Sequence, residues 1–186
     1  MSEVRKGDWI KTWSGRQFWP MDPKVEDVNI LDIAHSLSNL CRYGGHVNRF
    51  YSVAEHSIHI ASRLQNEGYD KQIIKWALLH DATEAYCADV PRPLKNFLPD
   101  YMKIEEGISK VIIEKYNMLP DMPDIVKEYD DRITLNEMDI LTNNESFPVR
   151  EGNRLPIVSN KILNWKLTSV EIRSKFIWMC NELLIY

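Results

Sequence analysis

Four side chains of types that bind transition metals fall on helical segments whose neighbouring residues are mostly apolar. They are His56, His80, Asp81 and Asp130. Ionised groups are costly to bury unpaired, so polar residues on faces that packing would claim need an explanation. Two imidazoles and two carboxylates from three helices form a mixed nitrogen and oxygen ligand set for a divalent transition metal. We therefore predict a site for Co, Mn, Zn or Fe that keeps positions for water or substrate.

The helical phase of the second segment separates its two histidines. His56 lies three residues after Val53 and four before Ile60, beside the apolar stripe. His59 shares a side with Glu55, so the pattern predicts that it faces solvent. Taken alone, His56 also fits a core histidine with satisfied hydrogen bonds.

The fifth segment presents two adjacent aspartates, of which one faces inward. Asp130 aligns with Val126, Ile133 and Glu137, whereas Asp131 is rotated by about 100°. Asp130 is therefore the ligand candidate. The alternative for this residue is an aspartate at the core boundary that pairs with Lys or Arg.

The third segment ends in polar residues after a hydrophobic run. Residues 76–79 (WALL) lead directly into His80 and Asp81, and Glu84 follows four residues after the histidine. At 3.6 residues per turn these three side chains form one cluster. A carboxylate one turn from an activated water can accept its proton, which is the role predicted for Glu84. The alternative is that Glu84 hydrogen-bonds a ligand histidine.

Apolar periodicity predicts an all-α fold of about six main helices with a short N-terminal β-hairpin. Residues 9–12 and 17–19 flank a turn at 13–16, as in a hairpin. Helical spacing follows over residues 31–41, 53–64, 71 to about 86, 104–112 and 123 to about 143, with Pro123 in the first turn of the last of these. A loop over 144–160 precedes a final helix, whose capping box is Thr168 with Glu171.

Length and charge narrow the class of protein further. The 186 residues suit a single domain, which we divide into a hairpin segment (1–29), a helical core (30–143), and a loop with the C-terminal helix (144–186). A net charge of -4 argues against binding to a nucleic-acid polymer. Without a membrane-length apolar run or a signal-like start, we expect a cytoplasmic protein that does not enter membranes.

The motifs resemble those of the HD-domain phosphohydrolases, a family named after its adjacent His-Asp pair. Residues 52–57 (SVAEHS), 78–84 (LLHDATE), 89–95 (DVPRPLK) and 126–130 (VKEYD) are similar, in the same order, to motifs of the small 5'-deoxynucleotidases and the phage dATP triphosphohydrolases. The resemblance covers roughly residues 32–137. It implies an HD-type helical bundle with the metal held by the four candidate ligands.

The resemblance also implies roles for residues outside the ligand set. Glu84 matches the acidic residue that orients or deprotonates the attacking water. Arg42 and Tyr43 occupy the place where relatives carry an Arg-Trp pair at the nucleotide pocket. Asp89 resembles the residue that binds the deoxyribose hydroxyl, and Lys95 is the candidate phosphate contact.

The expected activity is metal-dependent hydrolysis of 2'-deoxynucleoside phosphates, which releases the nucleoside with phosphate or triphosphate. The expected partner is a small deoxynucleotide, and the resemblance implies self-association into a dimer or larger oligomer. The competing hypothesis is a nucleotide-binding regulatory or scaffold protein that keeps the HD fold without turnover.

Overall fold

Among the residues that the structure describes, a two-stranded antiparallel hairpin near the N-terminus precedes a mostly helical chain, which confirms the predicted all-α fold. The computed structural model describes residues 4–142, 152, 155 and 166–186. Strands β1 (Ile10–Lys11) and β2 (Gln17–Phe18) pair Ile10 with Phe18 and Lys11 with Gln17. Phe18 is buried and stacks on Tyr86, with 3.8 Å between ring centroids. The hairpin is thereby fixed to the helical core.

Six helices of nine or more residues form the body of the described chain, together with two single-turn helices. They are α1 (Ile30–Asn39), α2 (Val53–Asn66), α3 (Lys71–Leu79), α4 (Glu84–Cys87), α5 (Arg92–Lys95), α6 (Pro99–Lys115), α7 (Asp124–Leu141) and α8 (Ser169–Glu182). Short 3₁₀ turns occupy Val25–Asp27 and Arg42–Gly45. The predicted loop over 144–160 lies almost wholly outside the described residues.

Helix starts are fixed by polar side chains that accept backbone N–H groups. Asn29, Ser52 and Asp70 cap α1, α2 and α3 by accepting from Leu31, Glu55 and Gln72, respectively. Thr168 and Glu171 form the predicted capping box of α8. Each cap satisfies backbone donors that have no partner within the helix, which defines where the helix begins.

Helix α2 lies at the centre of the fold. It contacts α1, α3, α7 and α8, and every residue from 53 to 61 is buried. A helix surrounded in this way must bury its polar residues as well as its apolar ones. The polar side chains of α2 are therefore the first place to look for a site.

Two predicted helix boundaries differ from the structure, and one short helix was not predicted. The segment from Lys71 does not continue to residue 86, because α3 ends at Leu79 and α4 begins at Glu84. Between them the N–H groups of Ala82 and Glu84 bond the carbonyls three residues earlier, a tighter turn than an α-helix makes. Pro123 occupies the position just before α7, which begins at Asp124, rather than its first turn, and residues 92–95, for which no helix was predicted, form a single helical turn.

Helix length and apolarity also bear on membrane insertion. Within the described residues, no helix combines the length and the hydropathy that crossing a bilayer requires.

Candidate metal centre

Helix α2 places His56 at the middle of the fold. Its side chain is fully buried, and its Nδ1 lies 2.6 Å from Oε1 of Glu137 on α7. A carboxylate accepts only, so Nδ1–H donates to Glu137, and Nε2 is the nitrogen that can bind a metal once it has lost its own proton. That Nε2 lies 3.1 Å from Oδ1 of Asp130 and 3.8 Å from Oδ2 of Asp81, but has no hydrogen-bond partner in the described part of the chain.

The end of α3 directs His80 to the same point. Its Nδ1 donates to the carbonyl oxygen of Ala77 at 2.8 Å, which leaves Nε2 as the acceptor nitrogen. This Nε2 lies 3.1 Å from Oδ2 of Asp81 and is a second buried nitrogen without a hydrogen bond to any described residue. The rings of His56 and His80 are 5.2 Å apart between centroids. In each ring the hydrogen bond made by Nδ1 therefore orients Nε2, the nitrogen that could bind a metal.

The side chains of His56, His80 and Asp130 can hold a metal ion. Each offers one ligand atom, and these atoms all lie within 4.8 Å of one another. Ligand bonds of about 2.1 Å put neighbouring donors about 3 Å apart and opposite donors about 4.2 Å apart, which fits this spacing. Asp81, predicted as the fourth ligand, is not in this group, although its Oδ2 lies 3.8 Å from Nε2 of His56 and 3.1 Å from that of His80. We refer to these four residues as the metal cluster.

The helical phase predicted for α7 is confirmed. The side chain of Asp130 is 14% exposed, whereas that of Asp131 is 50% exposed. The alternative for Asp130, a pair with a cation, is realised as well, because Arg92 on α5 contacts Oδ2 of Asp130 and also pairs with Asp131 at 2.6 Å. Asp130 thus presents Oδ1 to His56 and Oδ2 to Arg92.

Carboxylates dominate the electrostatics of the metal cluster. Burial and the charge of Arg42 lower the pKa of His56, but Glu137 and Asp130 outweigh them and raise it to about 9. Burial raises the pKa of Asp81 and of Asp130, yet the facing imidazoles bring both below the ordinary aspartate value. The centre therefore favours positive charge, as a cation site must.

Glu137 is a functional candidate whose role the sequence prediction missed. It is fully buried and accepts hydrogen bonds from the hydroxyls of Tyr43 at 2.6 Å and Tyr51 at 2.7 Å, besides facing His56. Burial raises its pKa, but His56 and Arg42 bring it down to about 2. Its position seven residues after Asp130 was the available signal, since two helical turns return to the same face.

Glu84 lies at the start of α4 with only 9% of its surface exposed. Burial and the carboxylates of Asp81 and Asp89 raise its pKa well above the ordinary value. Its Oε2 has no hydrogen-bond partner among residues that the structure describes. The Nδ1 atoms of His56 and His80 are taken by Glu137 and Ala77, so Glu84 is not the group that orients either histidine through Nδ1.

The predicted nucleotide-binding pair Arg42 and Tyr43 begins the Arg42–Gly45 turn. Arg42 Nη1 lies 3.3 Å from Oδ2 of Asp81, and its Nε lies 3.4 Å from Oε2 of Glu137. Tyr43 has φ 58° and ψ 25°, a left-handed conformation that glycine adopts more easily. The structure thus brings both residues to the edge of the metal cluster.

The two remaining substrate-binding candidates lie further out. Asp89 is partly buried, and burial raises its pKa, with Arg42 and Lys95 acting in the opposite direction. The Nζ of Lys95 pairs with Glu105 of α6 at 2.6 Å. Neither contributes an atom to the group that can hold the metal.

The prediction that His59 faces solvent was wrong. It is 3% exposed, and its Nε2 lies 3.7 Å from Oε1 of Glu55, which is itself 2% exposed. Arg49 binds both oxygens of Glu55, at 2.8 and 3.1 Å. We call Arg49, Glu55 and His59 the closed cluster. The helical phase failed here because α2 is covered on all sides, so no face of its first turns remains for solvent.

Comparison with known proteins identifies relatives but no described function. No protein family model matches the chain. The uncharacterized protein YfdR of Escherichia coli K12 is 47% identical over 147 residues, which cover 77% of this chain and 79% of YfdR. An uncharacterized protein of Rhodobacter capsulatus is 30% identical over 127 residues, which cover 66% of this chain and 65% of that protein. On the identity and coverage shared with YfdR, the chain belongs to the YfdR family.

Proposed function

We propose that this protein is a metal-dependent phosphohydrolase of the HD type that acts on 2'-deoxynucleoside phosphates. The observation that carries the proposal is the pair of buried imidazole Nε2 atoms in the metal cluster, which lack hydrogen bonds to described residues and face two carboxylates. The order of the four sequence motifs supports the same conclusion.

The residues present fit a divalent cation, with His56, His80, Asp81 and Asp130 as its ligands. When bound, such an ion shields phosphate charge and lowers the pKa of a water molecule. Asp130 and Asp81 compensate the ionic charge, and Arg92 on the outer oxygen of Asp130 directs its inner oxygen to His56. The donor set contains no thiolate, which favours Mn, Fe, Co or Zn over softer ions.

Glu84 is the proposed proton acceptor. Attack by water oxygen forms a new P–O bond as the bond to the leaving oxygen breaks; the water proton passes to the Glu84 carboxylate and from there to the leaving oxygen, which departs as the nucleoside hydroxyl. Burial beside Asp81 and Asp89 raises the pKa of Glu84, the direction that makes a carboxylate a stronger base. No described residue donates a hydrogen bond to its Oε2, so this oxygen is available to accept the proton.

Substrate binding is assigned to the residues around this centre. The tyrosine ring of Tyr43 offers a stacking surface for a base, and Arg42 supplies positive charge between Asp81 and Glu137. The carboxylate of Asp89 is an acceptor for a sugar hydroxyl. Lys95 adds positive charge near Glu84 and Asp89, although Glu105 holds its amine.

A substrate panel tests the proposal directly. Protein stripped with a chelator and reloaded with Mn, Co or Zn is incubated with the four deoxynucleoside monophosphates, the four triphosphates and their ribonucleotide counterparts. Phosphate, triphosphate and nucleoside are separated by chromatography. We expect release from one or more deoxynucleotides, dependent on metal and reduced at least 100-fold by Glu84→Gln.

The regulatory alternative makes a different prediction for the same experiment. A scaffold that retains the fold binds deoxynucleotides, as measured by calorimetry, but releases no product under any metal loading. That result would reject the enzyme proposal in favour of the binding protein.

A further inference from the structure

One buried carboxylate connects the metal cluster to the turn that carries the proposed nucleotide contacts. Glu137 is 0% exposed, and its two oxygens have different partners. Oε1 accepts from Tyr51 and faces Nδ1 of His56, whereas Oε2 accepts from Tyr43 and lies near Arg42. The carboxylate therefore touches a metal-ligand candidate on one side and the Arg42–Gly45 turn on the other.

The contact with His56 sets which ring nitrogen carries the proton. With Nδ1–H directed at Oε1 over 2.6 Å, Nε2 is the ring nitrogen that lies beside Asp130 and Asp81 and is available to a metal. Carboxylates that hold a ligand histidine in this way fix its ring orientation and increase metal affinity.

The contact with Tyr43 holds a backbone conformation that is otherwise unfavourable. Tyr43 and Gly44 both have positive φ, at 58° and 59°, and Tyr43 has a side chain that disfavours this region. Such conformations persist where surrounding contacts impose them. The hydroxyl bond to Glu137 is one such contact, and the guanidinium of Arg42 lies 5.3 Å from the centroid of the Tyr43 ring.

We propose that Glu137 is a positioning residue that couples metal binding at His56 to the order of the Arg42–Gly45 turn. The part that concerns nucleotide binding rests on the proposed function, since Arg42 and Tyr43 are substrate contacts only there. A free-energy coupling is reciprocal, so a change in the turn alters metal affinity as much as metal occupancy alters the turn. Tyr43 therefore influences metal binding although it is not among the ligand candidates.

Co(II) titration of the chelator-stripped protein tests the coupling without substrate. We expect Glu137→Gln to weaken Co(II) binding 10–100-fold, as the loss of such carboxylates does elsewhere. Tyr43→Phe removes only one hydroxyl and is expected to weaken binding about 3–10-fold, within the range of ordinary site coupling. Calorimetry gives the affinity, and visible absorption of bound Co(II) reports the ligand geometry.

Tyr129→Phe is the matched control. Tyr129 lies on α7 like Glu137, is 6% exposed, and donates its hydroxyl to another carboxylate, that of Glu67. This variant loses a comparable hydrogen bond outside the metal cluster, so we expect wild-type Co(II) affinity.

Hydrogen–deuterium exchange supplies the reciprocal measurement. Co(II) is expected to slow amide exchange in residues 42–47 of the wild type and to do so less in Tyr43→Phe. Equal Co(II) affinity and equal metal-induced protection in these two proteins would overturn the coupling, even where the substrate panel finds hydrolysis. A negative substrate panel with altered Co(II) binding in Tyr43→Phe would instead remove the proposed activity and leave the coupling in place.

Discussion

Two equally buried histidines, three residues apart on α2, belong to clusters with opposite properties. His59 lies beside Glu55, whose two oxygens are bound by Arg49. His56 faces carboxylates through an Nε2 that makes no hydrogen bond within the described ranges. Burial of a histidine therefore does not identify a metal ligand. The informative feature is a set of nitrogen and oxygen atoms from different helices that lie close enough together to bind one ion.

The pKa shifts of the two imidazoles express the same contrast. Burial lowers the pKa of His59, and the nearby Glu55 only partly offsets it. Burial and Arg42 also lower the pKa of His56, but Glu137 and Asp130 raise it to about 9. The closed cluster thus suits a neutral imidazole, whereas the metal cluster attracts a cation.

Removing one carboxylate from the metal cluster has the largest expected effect. Asp130→Ala deletes an oxygen that lies 3.1 Å from Nε2 of His56. The affinity for Co(II) or Mn(II), measured by calorimetry, is expected to fall more than about 100-fold, which exceeds the loss typical of residues that only hydrogen-bond a metal ligand. Asp131→Ala is the matched control and is expected to remain within about twofold of the wild type. The reverse ranking would contradict the helical phase of α7.

Glu84→Gln separates proton transfer from metal binding. The substitution keeps the size of a buried side chain but removes its basicity, so kcat is expected to fall about 10²–10⁴-fold. Metal affinity is expected to stay within a few-fold, which calorimetry checks on the same preparation. Glu106→Gln, which alters a carboxylate in an exposed pair with Lys110, is the control. Turnover near that of the wild type would assign the proton acceptor to another group.

Breaking the closed cluster is expected to lower the free energy of unfolding and to leave the metal affinity unchanged. Glu55→Gln leaves Arg49 opposite a neutral amide in a largely buried position, and breaking buried pairs costs about 3 kcal/mol or more. Urea unfolding of the metal-free protein measures the loss, with Asp100→Asn as a control at an exposed pair. Unchanged stability, or a change in Co(II) affinity of more than about threefold, would show that the two clusters are not independent.

The smallest predicted effect is a pH dependence of stability that originates from His59. Its folded pKa lies below the ordinary value of 6.5, so the unfolded state binds the proton first as the pH falls. Stability is therefore lost below about pH 6.5, with a slope of at most about 1.4 kcal/mol per pH unit for this group. Urea unfolding of the metal-free protein between pH 7.5 and about 5 is expected to show a weaker dependence in His59→Gln. Parallel profiles would exclude this assignment.

Apolar periodicity predicted the starts of α1, α2 and α3 to within one residue, and the capping box of Thr168 with Glu171 predicted the start of α8. Asn29, Ser52, Asp70 and Thr168 stop the helix at their own positions by accepting backbone N–H groups, and α1, α2, α3 and α8 begin directly after them. The interruption between α3 and α4 was not predictable from apolar spacing. A switch to three-residue hydrogen bonds leaves the hydrophobic pattern almost unchanged.

Three residues of the metal cluster were predictable from the sequence, but the residues that position them were not. His56, His80 and Asp130 stood out as polar residues on apolar faces, and the structure places their ligand atoms together. Glu137 sat on the same predicted stripe, but nothing local indicates that Tyr43 and Tyr51 converge on it from more than 80 residues away. Such contacts depend on tertiary packing, which helical phase does not describe.

Helix α7 carries both Asp130 and Glu137, and this shared backbone sets a fixed spacing within the molecule. Seven residues correspond to about 10.5 Å along the axis and nearly two full turns, so both carboxylates reach His56 from one side. Inserting or deleting a single residue between them would swing one carboxylate by about 100° away from the imidazole. Point substitutions at the intervening exposed positions are tolerable, but length variation there is not. An alignment of YfdR-family sequences should therefore be free of gaps across this interval.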